Sequence, residues 1–138
     1  GSRFIDNLEW WGTKDPAASL TVKAAIEFLE KNDWPAVQER SNKLVSIALQ
    51  KISEITNLPS VYPEHNQRYF HQMAIARLPL KGKTVEFQAE LYDRYHIEIP
   101  IIKWKDRSFA RISIQVYNTD EDVDALAHAI HSVLPSYR

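Results

Sequence analysis

The stretch "IIKWKDRSFARISIQV", residues 101–116, decides the fold. Its second half alternates strictly. Ala110, Ile112, Ile114 and Val116 share one face, and Phe109, Arg111, Ser113 and Gln115 share the other. That is the period of a strand with one buried side. Lys105-Asp106-Arg107-Ser108 reads as a hairpin turn back to the β-branched run "HIEIPIIKW", residues 96–104. Pro100 lies inside that run. A proline cannot donate to a ladder, so this strand is expected to be irregular or at a sheet edge. Downstream, Thr119 can cap a helix whose first turn holds Asp120, Glu121 and Asp122, where the helix dipole favours acids. Val123, Leu126, Ala127, Ile130 and Leu134 form its apolar stripe.

Working toward the N-terminus, Thr84–Tyr95 reads as a helix with Val85, Leu91 and Tyr95 inward. Gly82 marks a turn, and a short strand at about 72–78 is stopped by Pro79. Residues 57–70 hold Pro59, Pro63 and Asn66 without a period and read as a surface loop. Trp34 to about Asn57 is a long helix, with Asp33 as its cap and Pro35 in its first turn. Asp15 to about Lys31 is another, with Leu20, Ala24, Ala25, Phe28 and Leu29 on one side. Residues 3–14 lack a period and are expected to form an extended arm leading into it. The order α-α-β-α-β-β-α predicts an α+β domain over residues 15–138, with a mostly antiparallel sheet of about three strands and helices on one face. The helices need the Ile112/Ile114 face, which leaves the Arg111/Ser113 face to something else.

The totals fit one domain with a real core: 138 residues, 44% hydrophobic. A formal charge of -1 argues against a general nucleic-acid binder. The chain has no cysteine, which rules out disulfides and thiolate catalysis and permits a reducing, cytoplasmic setting. No apolar run approaches the ~20 residues of a membrane span. Gly1-Ser2 reads as a tag-cleavage scar and no initiator methionine is present, so a piece of a longer protein is expected.

Two places carry candidate chemistry. Arg111 sits mid-strand between apolar neighbours, where a guanidinium must be solvated or paired. Its planar fork suits a carboxylate held by two parallel hydrogen bonds. The plainer reading is an exposed strand arginine beside an acid. Gly12-Thr13 combine close backbone approach with a hydroxyl donor just before a helix start, a combination that suits a phosphate. The plainer reading is a turn and a cap. His128 and His131 have metal-ligand spacing on one helix but no third ligand fixed by sequence. His65 and His71 flank the irregular loop. Trp10-Trp11 reads as a packing or interface anchor.

Two separated stretches then resemble one family. "WWGTKDPAASLTVKAAIEFL", residues 10–29, and "IEIPIIKWKDRSFARISIQVYNTDEDVDALAHAI", residues 97–130, are similar to the start and end of the small domain in class V aminotransferase-like enzymes. The similarity points in particular to isopenicillin N epimerase-like proteins, relatives of cysteine desulfurases. The "MAIARLPL" segment, residues 73–80, fits the same order. The combination of G-T-x-D, I-E-x-P and R-I-S-x-Q-x-Y-N carries the resemblance.

The resemblance implies the C-terminal domain of a pyridoxal 5'-phosphate enzyme. The lysine that binds the cofactor covalently, and the aspartate at its ring nitrogen, would belong to a large N-terminal domain upstream of residue 3. It further implies that Arg111 binds the amino-acid substrate's α-carboxylate. Gly12 and Thr13 would contribute to the phosphate site of the neighbouring subunit's cofactor in a homodimer. Lys14 stands where arginine is common. Ser113, Gln115 and Asn118 match the pattern and are expected to be structural. On this reading the chain alone is inactive. The competing expectation is a freestanding protein-interaction module, with the Trp10-Trp11 arm and the open sheet face as its surface.

Overall fold

The computed structural model describes residues 1–9, 12, 15–63 and 69–138, which fall into two compact units, residues 1–34 and 35–138. The first unit holds α1 (Arg3–Glu9) and α2 (Ala17–Lys31). The expected extended arm is therefore helical over Arg3–Glu9, although none of its residues is buried. A turn of helix needs no apolar period, which is why the sequence pattern missed it. At the start of α2, Asp15 Oδ1 accepts the N–H of Ala17 at 2.9 Å, and the carbonyl of Pro16 accepts the N–H groups of Ser19 and Leu20. This is the Asp-Pro helix start expected from the sequence. The apolar residues of α2 remain exposed, Leu20 at 74% and Phe28 at 60%.

The second unit is an α+β layer. Its order is α3 (Trp34–Thr56), β1 (Met73–Leu78), α4 (Thr84–Tyr95), β2 (Ile101–Trp104), β3 (Arg107–Ser113) and α5 (Asp120–Val133), closed by a 3-10 turn at Leu134–Tyr137. The strands form one antiparallel sheet in the order β1-β3-β2. β2 begins immediately after Pro100 and lies at the edge, as the missing donor of proline requires. The β2–β3 turn is only Lys105-Asp106, tighter than the four residues expected, with Lys105 at φ +54°. A positive φ there matches the twist of a two-residue hairpin.

One sheet face carries the core. Ala74, Ala76, Leu78, Ala110 and Ile112 meet Val45, Ile52, Phe87, Leu91, Ile130 and Leu134 from the helices. Each of the larger side chains among them contributes about 1.5–3 kcal/mol by leaving water. Within α4 the inward residue is Phe87, fully buried, whereas Val85 is exposed. Both are apolar and two apart, so they fall on opposite sides of a helix, and the sheet selects the one. In α5, Ala129 and Val133 are buried while Ala127 is only half-buried, a small rotation of the expected stripe. α4 ends at His96, whose φ of +56° lets its own N–H reach Tyr92 and that of Ile97 reach Leu91.

Candidate functional site

The opposite sheet face is built by register. Ile75 of β1 stands opposite Arg111 of β3, Arg77 and Ile102 flank Phe109, and Trp104 stands opposite Arg107. Alternation therefore puts Met73, Ile75, Arg77, Ile102, Trp104, Arg107, Phe109, Arg111 and Ser113 on one side. None of them belongs to the helix-covered core. Met73 and Trp104 are more than half exposed. Phe109 alone is buried, with arginine on three sides. Three arginines stand among these strand residues, in a chain whose charges otherwise nearly cancel, and the nearby acid Glu98 precedes β2.

Arg111 is exposed, and no ion pair to it is found among the described residues. Its backbone is tightly placed. Its N–H donates to the carbonyl of Pro100 at 3.0 Å, so the segment before β2 tracks β3 beyond the end of the edge strand. There the chain opens into a groove of about 400 Å³, lined among others by Glu98, Pro100, Arg111, Ser113 and Asn118.

The groove's far end is fixed by side-chain amides. Asn118 Oδ1 accepts the N–H of Gln115 at 2.9 Å, and its Nδ2 donates to Asp122. Asp122 also accepts the Thr119 N–H at 3.0 Å, in a capping box. Gln115 Oε1 accepts from Val116 N–H and from Gln72 Nε2. Arg40 of α3 donates to the Asn118 carbonyl. Gln115 and Asn118 thus join β1, β3, α3 and α5, a structural part as expected. Ser113 is exposed beside them.

Gly12 adopts φ +68°, and a β-carbon there would meet nothing within 4 Å among the described residues. Open space and a left-handed backbone fit the close approach of an anion to the main chain. The nearby helix start is less available than the sequence suggested, because the Asp15 carboxylate already sits on the Ala17 N–H. Thr13, Lys14, Trp10, Trp11 and His65 lie outside the described residues. His71 is exposed, and His128 packs edge-on against Tyr95 with ring centroids 6.2 Å apart. No group of three or more histidine, aspartate or glutamate residues that could hold a metal occurs among the described residues. The acids of α5 are engaged structurally: Asp122 in the cap, and Asp124 with Lys51 Nζ at 2.6 Å, which raises the Lys51 ammonium above its ordinary pKa.

With this geometry in place, sequence comparison is informative. The profile of the aminotransferase class-V family matches residues 10–126. The chain belongs to the aminotransferase class-V family. An isopenicillin N epimerase of Amycolatopsis lactamdurans is 32% identical over 126 residues, covering 91% of this chain and 31% of that protein. A probable cysteine desulfurase of Halalkalibacterium halodurans is 29% identical over 127 residues, with 86% and 30% covered. An isopenicillin N epimerase of Streptomyces clavuligerus is 25% identical over 129 residues, with 94% and 32% covered. This class-V chain therefore spans less than a third of the length of these relatives. No helix among the described residues is long and apolar enough to cross a membrane.

Sequence reasoning placed Arg111 on the open face but did not place Arg77 and Arg107 there. The alternation of "MAIARL" puts Arg77 in phase with Met73 and Ile75. Only the β1–β3 register shows that this phase is the Arg111 face.

Proposed function

We propose that this chain is the C-terminal small domain of a pyridoxal 5'-phosphate-dependent enzyme that transforms an amino acid, and that Arg111 holds the substrate's α-carboxylate. The observation that carries the reading is the exposed Arg111 guanidinium, without an ion pair among the described residues, at a groove where the backbone of Arg111 is pinned by Pro100. A fork of parallel donors orients a carboxylate as well as binding it. Orientation fixes which bond at the substrate's Cα faces the reacting group, and so converts binding into rate. Family membership and the short span of the chain relative to its relatives support a larger domain elsewhere in the protein.

The cofactor, when bound, supplies an electron sink for the bonds at Cα. The residues of this chain that would hold it are Gly12 and Thr13, reaching the phosphate of a neighbouring subunit's cofactor in a homodimer. Gly12's open, left-handed backbone fits that part. The epimerase relatives favour stereochemical inversion at Cα over sulfur removal, which also fits the absence of cysteine from the chain. The setting is cytoplasmic and the isolated chain is inactive.

A second reading, a protein-interaction module, is favoured by the exposed apolar side chains of α2. One experiment tests the claim that the covalent cofactor site lies outside this chain. Pyridoxal 5'-phosphate is added to this chain, followed by borohydride, and labelled lysines are located by mass spectrometry. Scattered, substoichiometric labelling is expected. Stoichiometric labelling of a single lysine would overturn the claim that the covalent site lies in another domain.

A further inference from the structure

Val37, Arg40, Ser41 and Leu44 follow one another at helical spacing along one side of α3. With the chain that leaves β3 at Ile114–Asn118, they enclose a cavity of about 230 Å³, lined only by residues of the second unit among the described residues. Leu44 and Ile114 form its buried wall, and Val37 and Val116 are only partly covered. Two polar groups stand in this apolar lining. Ser41 is 3% exposed, and its hydroxyl does not return to the carbonyl four residues back, as those of Ser46 and Thr56 on the same helix do. Arg40 donates one N–H to the Asn118 carbonyl at 3.1 Å, which ties its head to the cavity and leaves its other donors for a ligand. No acid lines the cavity among the described residues. The adjacent Glu39 is paired with Lys43 at 2.7 Å, and Asp122, beyond Asn118, belongs to the α5 cap and the Arg111 groove.

An apolar hollow with few convergent polar groups is the usual build of a small-molecule site. Here those groups are one anchored cation and one buried hydroxyl, and both can donate to an anion. We infer that this cavity is a second ligand site, separate from the Arg111 groove, and that it takes a short branched aliphatic carboxylate. The carboxylate meets the free donors of Arg40 as a charge-assisted pair. The branched tail lies on Leu44 and Ile114, and the Ser41 hydroxyl supplies a further donor. A guanidinium already held by a carbonyl loses less side-chain freedom when a ligand arrives. Ile114 and Asn118 also line the Arg111 groove, so the two cavities share a wall, but nothing in this site depends on what Arg111 binds.

The test uses this chain with ¹³C-labelled Val, Leu and Ile methyl groups, titrated with 4-methylpentanoate. The Val37, Leu44, Ile114 and Val116 methyl signals should move together and saturate. Acetate should bind more weakly, by about fourfold for each methylene removed from the tail. The uncharged 4-methylpentanamide should bind about tenfold more weakly or worse. Arg40→Gln should weaken the carboxylate about tenfold and leave the amide unchanged, and Arg40→Lys should fall between it and the unaltered chain. Because Arg40 is exposed, the ligand-free methyl spectra of these variants should match that of the unaltered chain away from the cavity, which keeps loss of binding apart from loss of fold. Arg111→Gln should leave the four shifts in place. Equal binding of amide and carboxylate, or shifts that vanish with Arg111→Gln and survive Arg40→Gln, would overturn the assignment. So would shifts of the same four methyls on raising the protein concentration alone, which would give the cavity to a second copy of the chain.

Discussion

Arg111 donates its backbone N–H to the carbonyl of Pro100, 3.0 Å away. That bond carries the ladder one step past the end of β2, while the return bond to the Arg111 carbonyl cannot form because Pro100 has no N–H, so the regular strand starts only after it. Pro100→Gly keeps the carbonyl and frees the backbone. The variant should lose about 0.4–1 kcal/mol in denaturant unfolding, through the larger unfolded ensemble. Hydrogen exchange at the Arg111 amide should speed up while the β1–β3 ladder amides keep their protection. Unchanged exchange at Arg111 would remove Pro100 from the account of how that residue is held.

Phe87 and Val85 test the packing of α4. Phe87 is fully buried in the core and Val85 is exposed, the reverse of what the sequence suggested for Val85. Phe87→Ala should cost about 3–5 kcal/mol. Val85→Ala should stay within about 0.5 kcal/mol. Comparable losses from both would mean that α4 is rotated about its axis.

Tyr137 donates its hydroxyl to Glu90 Oε2 at 2.8 Å, and Arg94 bonds the same carboxylate. The Tyr137 hydroxyl first, and Arg94 next, hold the Glu90 carboxyl below its ordinary 4.5. The same bond, together with burial, raises the Tyr137 phenol above its ordinary 10.0. A lowered acid stabilises the fold above pH 4.5, and the gain disappears as pH falls through the folded value. A raised phenol stabilises it below pH 10, and that gain disappears as pH rises through the folded value. Tyr137→Phe should therefore lower stability between these limits, and its curve should approach that of the unaltered chain toward acid and alkaline pH. A pH-independent difference would show that the hydroxyl acts by packing alone.

Much of the second unit was legible because its periods are clean. Ile112 and Ile114 announced the buried strand face, Pro100 announced an edge, and Thr119 with its acids announced the last helix. Arg3–Glu9 was not legible, since its helix buries nothing and leaves no apolar stripe. Arg77 was missed for another reason. Its place depends on which residue of β1 faces which residue of β3, and that is set by packing across the sheet rather than by local spacing. Arg111 was legible because a charge in the middle of an alternating strand is unusual enough to need a partner.

The measurement that bears most directly on the proposed function is made on Arg111→Lys in the full-length protein, with substrate binding and cofactor content followed together. Lysine keeps the charge and loses the fork of parallel donors. Substrate affinity should fall about tenfold or more, from the loss of a charge-assisted hydrogen bond, while the bound pyridoxal 5'-phosphate per subunit stays the same. Unaltered substrate binding, or loss of cofactor with substrate-analogue binding intact, would contradict the role given to Arg111.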